Sequence, residues 1–232
     1  MEAVEWYQRH QAIQDDWPSG LRVDPQYGGL DCDTIMALAH FSATEGRAAK
    51  VIEVGANESP LCRVLADNGF RTLGVDLRRH DWRLPHNYAR AEGDFLEIAP
   101  FLARDFDAAV STSALEHFGL PLYGFRGSAP DYDARACDWV YRLLKPGGRF
   151  YVTVPYGREF AVESDWRVYC KRSLQDRIVK DFAVEKKVFF LSGGCDCPDD
   201  RGIVKEADAD AYDGRAHPHV TVFLLLRKPD HA

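Results

Sequence analysis

The stretch KVIEVGANESP, residues 50–60, constrains the fold of this chain more than any other. Lys50 to Val54 is a short apolar run that ends at Gly55, which reads as a strand feeding a tight turn. Ser59 then stands where a helix cap belongs, with Pro60 at the first helical position. Leu61, Val64 and Leu65 recur at helical spacing, and Asn68-Gly69 stops the helix. RTLGVDL, residues 71–77, follows as a second strand. Strand, tight turn, helix and strand in that order open a parallel sheet with crossover helices.

The alternation continues along the chain. ARAEGDF (89–95) reads as a third strand near a sheet edge, and FDAAVST (106–112) as a short buried fourth. Tyr132, Ala136, Trp139, Val140 and Leu143 keep a period near 3.6 and mark a helix. LLKPGG ends it, and RFYVTVP (149–155) is a fifth strand. Leu174, Ile178 and Val179 mark another helix, and FAVEKKVFFL (182–191) and HVTVFLLLRK (219–228) are late strands. The polar, acidic segment from Ser192 to Pro218 reads as a loop with at most one irregular turn. Ahead of all this, residues 2–14 read as a short helix with Trp6 and Tyr7 as aromatic anchors, and WPSG reads as a breaker. A second helix, capped by Asp33 or Thr34, runs through Ile35, Leu38, Ala39 and Phe41. Two units are expected: a helical N-terminal extension or lid at 1–46, and an α/β domain at 47–232.

Composition narrows the class. A net charge of −7 over 232 residues disfavours a sustained grip on nucleic acid, so a small-molecule partner is the expectation. No apolar run approaches membrane-spanning length, and the opening MEAVEWYQRH is not a secretory leader. Six cysteines scattered over this length read as small buried hydrophobes, not as a disulfide scaffold. A cytoplasmic enzyme without a membrane partner, either a monomer or a homodimer, fits these features.

In an open α/β sheet, ligands sit beyond the carboxyl ends of the strands. Gly55 follows the first strand, where a side chain would obstruct a ligand, and Glu53 lies at that strand's end. Asp76 ends the second strand, where a carboxylate can take both hydroxyls of a ribose. Asp94 and Phe95 follow the third strand and offer a purine a polar contact and an apolar face. A nicotinamide dehydrogenase would need three spaced glycines before the helix, and EVGANESP does not supply them.

These segments resemble, in order and spacing, the class I S-adenosylmethionine-dependent methyltransferases. VIEVGAN (51–57) is similar to their glycine-rich first motif, GVD (74–76) to their second acidic position and GDF (93–95) to their adenine-side motif. DAAVSTSALEH (107–117) is similar to their fourth-strand segment and LLKPGGRFYVTVP (143–155) to their late signature. The resemblance covers residues 50–155 well and the late strands loosely. Asn57 and Ser59 depart from it, standing where glycines often occur. It implies a Rossmann-like fold: a seven-stranded, mostly parallel sheet with helices on both faces. It also implies S-adenosyl-L-methionine as cofactor. Glu53 and Gly55, with Ala56 and Asn57 of the same turn, would lie beside the methionine portion. Asp76 would bind the ribose and Leu77 would flank the adenine. Asp94 and Phe95 would complete the adenine pocket, and Ser111 and Thr112 would line the sulfonium side.

Methyl transfer from a sulfonium is an in-line displacement, so the protein must orient the acceptor and help remove its proton. His117 is the expected general base, because imidazole titrates near neutrality, with Glu116 and Tyr156 as further catalytic candidates. Tyr123 and Arg126 in the following loop, Arg158 after the fifth strand, and Tyr7 and His10 of the N-terminal helix are the substrate-contact candidates. Cys195 and Cys197, with His217 and His219, could present paired ligands, but their spacing is not a standard zinc finger and no metal is expected. The expected reaction moves a methyl group to an O or N atom of a small metabolite, as in natural-product or sugar biosynthesis. The competing readings are a nucleic-acid or protein methyltransferase, a cyclisation or rearrangement that uses the cofactor without methyl transfer, and an inactive binding protein on the same fold.

Overall fold

The computed structural model describes residues 34, 37, 41, 49–79, 85–125, 128–192, 203–215 and 219–231. Five strands run parallel: β1 (Lys50–Val54), β2 (Arg71–Asp76), β3 (Tyr88–Glu92), β4 (Phe106–Thr112) and β5 (Leu144–Tyr156). A small hairpin of β6 (Ala161–Val162) and β7 (Arg167–Val168) follows. β8 (Ala183–Ser192), β9 (Ile203–Val204) and β10 (His219–Arg227) complete the main sheet, in the order β3-β2-β1-β4-β5-β10-β8-β9. β10 inserts antiparallel between β5 and β8. The helices are α1 (Leu61–Asp67), α2 (Phe95–Ile98), α3 (Tyr132–Leu143), α4 (Lys171–Leu174) and α5 (Glu206–Ala211); α4 runs on into a wider turn at Gln175–Val179.

Helices cover both faces because the strands are apolar on both. Along β1, Ile52 and Val54 pack into the core beneath α3, beside Val140 and Leu143. Val51 points the other way, against Leu61, Val64 and Leu65 of α1. Phe41 belongs to this second core, its ring 5.3 Å from that of Phe70 and 4.9 Å from that of Tyr151. At least this part of the N-terminal segment is thus packed into the sheet's own core.

Three local expectations shift. The sheet has seven long strands as expected, and β9 adds an eighth of two residues. It pairs with Phe189 and Phe190, because Ile203 and Val204 are β-branched residues beside an open strand edge. The segment 192–218, expected as loop, also holds α5, whose first turn carries Glu206 and Asp208 at the helix end that favours negative charge. Pro60 occupies the cap position of α1 instead of its first turn, and Ser59 Oγ accepts from Leu61 N–H at 3.1 Å one residue earlier.

The C-terminal end of α3 is closed from far along the chain. Lys228 Nζ donates to the carbonyls of Tyr141 and Leu144, both at 2.9 Å. Helix ends leave such carbonyls unsatisfied, and an ammonium there also meets the negative end of the helix dipole. Replacing Lys228 by Met keeps the stem and removes the donors. It is expected to cost about 1–3 kcal/mol of stability, read as a lower urea midpoint at unchanged slope. An unchanged midpoint would show that solvent caps α3 as well as the lysine does.

Candidate cofactor and active site

β1 is paired with β2 on one side and β4 on the other, and the chain order runs away from it in both directions. Such a reversal opens a crevice above the carboxyl ends of the strands. A cleft of about 970 Å³ of empty space, part of it open to solvent, lies there, with Gly55, Asp76, Asp94 and Thr112 in its wall. Gly55 has φ +87°, and a Cβ on it would fall 2.3 Å from the Cβ of Ala114. The glycine therefore serves backbone geometry and packing under the segment after β4, beyond leaving room for a ligand.

The Asp76 carboxylate is fixed before any ligand arrives. Its Oδ2 accepts from Asn57 N–H and its Oδ1 from Arg78 N–H, each at 2.9 Å. The Arg78 guanidinium lies 3.5 Å from Asp76, donates to Glu58 at 2.7 Å, and stacks 3.7 Å above the ring of Tyr123. Tyr123 itself holds φ +54°, a left-handed conformation costly for a bulky residue. Asp94 caps α2 by accepting from Leu96 N–H at 2.8 Å, and the Tyr132 hydroxyl donates to its other oxygen. Burial and that acidic neighbour push the Tyr132 phenol well above its ordinary range. Between these carboxylates the wall is apolar, from Val75, Leu77 and Phe95.

Glu53 lies behind the wall, 1% exposed, and faces α1. Its Oε2 accepts from Cys62 N–H at 3.1 Å, while Oε1 has no hydrogen-bond partner among the described residues. Burial pushes its carboxyl up to about 7, with the Ser59 and Cys62 groups and Arg63 pulling the other way. Ala56 is likewise buried in the turn.

Beyond β4 the alternation of side chains decides which hydroxyl reaches the cleft. Ser111 is fully buried and donates to the Val54 carbonyl at 2.9 Å, tying β4 to β1. Thr112 and Ser113 line the cleft in its place. His117, in a single turn at Leu115–His117, also lines it. Its Nδ1 bonds the carbonyl of Asp165 at the tip of the β6–β7 hairpin. A carbonyl only accepts, so Nδ1 carries the hydrogen and Nε2 of the neutral ring is the basic nitrogen. Burial lowers the His117 pKa below its usual value, while the Asp165 carbonyl and nearby acids oppose this. Glu116 is buried behind it, with Oε1 4.0 Å from His117 Nε2.

The cleft thus gathers Gly55, Asp76, Leu77, Asp94, Phe95, Thr112, His117 and Tyr123. Tyr156 stands apart, because alternation along β5 turns it into the core, where its hydroxyl bonds Asp210 of α5. Arg158 is exposed and 3.9 Å from Asp213, also away from the cleft. Tyr7, His10, Arg126, Cys195, Cys197 and His217 lie outside the described residues. The His219 ring lies 5.3 Å from that of Trp166. Sequence reasoning missed Glu58, Arg78 and Tyr132 in the cleft wall. Arg78 follows Asp76 by two residues and was legible as a strand-end neighbour; Tyr132 carried only a helix-core signal.

Carboxylates at the ends of neighbouring parallel strands, an apolar slot between them and a glycine turn below make a cleft of the kind in which open α/β sheets hold ligands. Residues 30–178 match a family model described as a methyltransferase domain, and the chain belongs to the S-adenosylmethionine-dependent methyltransferase family. It is therefore a methyltransferase with S-adenosylmethionine as its cofactor. The fold is similar to that of 1,6-didemethyltoxoflavin-N1-methyltransferase from Burkholderia thailandensis, solved with S-adenosylhomocysteine. That match has 16% identity over 99% of this chain and 92% of the other, with a TM-score of 0.58. The [4+2]-cyclase SpnF is similar at 20% identity over 92% and 85% of the two chains, TM-score 0.57. A putative sarcosine dimethylglycine methyltransferase from Galdieria sulphuraria is similar at 14% identity over 97% and 99%, TM-score 0.57. Comparison with curated protein sequences gave no match. Among the described residues no helix is long and apolar enough to cross a membrane.

The Glu53 carboxyl makes a testable signature. Its folded pKa of about 7 lies above the ordinary 4.5, so the native state holds more protons between these values. Stability of the ligand-free protein therefore falls as pH rises through this window, by on the order of 3 kcal/mol from this one group. Glu53→Gln is expected to remove that slope and to leave the variant the more stable of the two above pH 7. Denaturant midpoints of both proteins across the window check it; parallel curves would place the titration elsewhere.

Proposed function

We propose that this protein transfers a methyl group from S-adenosylmethionine to a hydroxyl or amine of a small metabolite in the cytoplasm, with His117 as general base. The observation that carries the reading is the placement of a neutral imidazole with a basic Nε2 in the wall of the same cleft as Asp76 and Asp94. When bound, the cofactor supplies an activated methyl group. Asp76 takes the ribose hydroxyls, a role its fixed carboxylate oxygens suit. Leu77 and Phe95 would flank the adenine, and Asp94, held by Tyr132, would complete that pocket. Glu53, Gly55, Ala56 and Asn57 shape the turn beside the amino-acid portion.

On the acceptor side His117 takes the proton at Nε2 as the methyl is transferred. Glu116, 4.0 Å away, then offsets the charge of the imidazolium. Thr112 and Tyr123 border this end of the cleft. A nucleic-acid acceptor fits less well. Among the charged residues described in the cleft wall, Glu58, Asp76 and Asp94 outnumber the single guanidinium of Arg78, and a polyanion needs the opposite balance. The N-terminal extension, with Tyr7 and His10, is proposed as the cover over the acceptor.

Two measurements test this reading. Asp76→Ala should weaken S-adenosylmethionine binding by about 100-fold or more with little loss of fold, since it removes a charged hydrogen-bond partner. Calorimetric titration decides, and unchanged affinity in a folded variant rejects the ribose assignment. A panel of hydroxylated and amino metabolites, screened for S-adenosylhomocysteine release, should yield an acceptor. With it, His117→Gln should slow the single-turnover step about 100-fold or more while cofactor affinity holds. A folded variant within about threefold of the wild type removes His117 from the chemistry. The similarity to a cyclase makes one further outcome worth scoring: substrate conversion without S-adenosylhomocysteine release would replace methyl transfer by a rearrangement.

A further inference from the structure

Among the described residues Arg167 is the largest fully buried side chain, at 0% exposure, and it does not line the cleft. Its Nη1 donates to the carbonyl of Glu116 at 3.1 Å and to that of Phe118 at 2.6 Å. Its Nη2 donates to the Ala129 carbonyl at 3.4 Å. Glu116 and Phe118 are the residues immediately before and after His117. The charge is balanced by Asp133, also fully buried, 3.8 Å from Arg167 Nε. Asp133 in turn accepts from the Tyr169 hydroxyl at 2.8 Å and from Arg177 Nε at 2.9 Å. A guanidinium is costly to bury, and here it is held by an ion pair and three carbonyls. Two residues before Arg167, at the tip of the same hairpin, the Asp165 carbonyl accepts from His117 Nδ1. One hairpin thus grips the backbone on both sides of His117 and the ring itself.

We propose that the β6–β7 hairpin positions His117, with Arg167 fixing its backbone and the Asp165 carbonyl fixing the tautomer that leaves Nε2 basic. This rests on the reading of His117 as the base, but its test does not pass through turnover. Arg167 acts through the carbonyls and touches no reacting atom, so it is a positioning residue. A lysine keeps the charge but is a point donor, unable to hold this fork of carbonyls. The groups that face His117 are Glu116 from its own turn, Asp165 and Arg167 from the hairpin, Glu58 from the β1–α1 turn and the ring of Tyr123. Of these, Arg167→Lys leaves every charge in place, so a change in the imidazole reports its geometry.

The experiment is long-range proton–nitrogen correlation NMR of the histidine rings in the full chain with S-adenosylhomocysteine bound, assigned with His117→Gln. The wild type is expected to show His117 as the Nδ1–H tautomer with a midpoint below the usual histidine value. In Arg167→Lys the Nε2–H tautomer is expected to grow to half or more. A merely structural arginine would lower the melting temperature and leave the His117 signals as they were. That result, in a folded variant, overturns the proposal. Should no Arg167 variant fold, the wild-type spectrum decides alone: an Nε2–H tautomer there overturns it. A His117→Gln variant with normal turnover would reject the catalytic reading and leave the tautomer result standing, so the two failures are told apart.

Discussion

The pairing of β1 with β2 on one side and β4 on the other governs everything above the sheet. Parallel neighbours that lead away in opposite directions force the chain segments after them apart, and a gap must open over the strand ends. The protein holds that gap at a defined width. Ser111 pins β4 to β1 through the Val54 carbonyl, and Gly55 lets the first turn pass against Ala114 with no room for a side chain. With the two strand ends locked, Asp76 and Thr112 face a common space across a fixed distance. The rest of the site is arranged around that space.

The two sides of the cleft are stabilised by different means. On the β2–β3 side, each carboxylate is oriented by local backbone N–H groups: Asp76 by Asn57 and Arg78, Asp94 by Leu96. Such acceptors are pre-organised, so a ligand that donates to them orders little more of the protein. On the β4 side, the segment carrying His117 is a single turn with carbonyls left over, and it takes its partners from the hairpin that follows β5. The aromatic ring of Tyr123 joins the sides, stacked under Arg78 and edge-on to His117.

What was legible in the sequence follows this division. Asp76, Asp94 and Phe95 end or follow strands whose apolar runs are plain, and a residue at a strand end can be placed by counting. The whole parallel half of the sheet was readable in the same way. Ser111 and Thr112 show the limit: neighbours on a strand face opposite sides, and only pairing partners reveal which one meets the cleft. Tyr156 fails by the same parity, its ring turned into the core beside Phe189. Arg167 and Tyr169 lie in a polar stretch with no periodic signal, and the partner of both in their complete burial is Asp133, more than thirty residues earlier. β9 carries two apolar residues in an acidic segment, too few for a strand signal without the open edge of β8 beside them.

The span of the Arg167 contacts bears on the order in which the protein is made. Asp76 closes onto Asn57 across 19 residues, so that part of the cleft can assemble as soon as β2 leaves the ribosome. The grip on Glu116 spans 51 residues and that on the His117 ring 48, and neither partner exists until β5 and the hairpin have been synthesised. Contacts of high sequence separation form late, because their loops must close first. A nascent chain can therefore carry the Asp76 corner of the cleft before it carries a supported imidazole. Completion of the hairpin is the moment at which the two halves become one site.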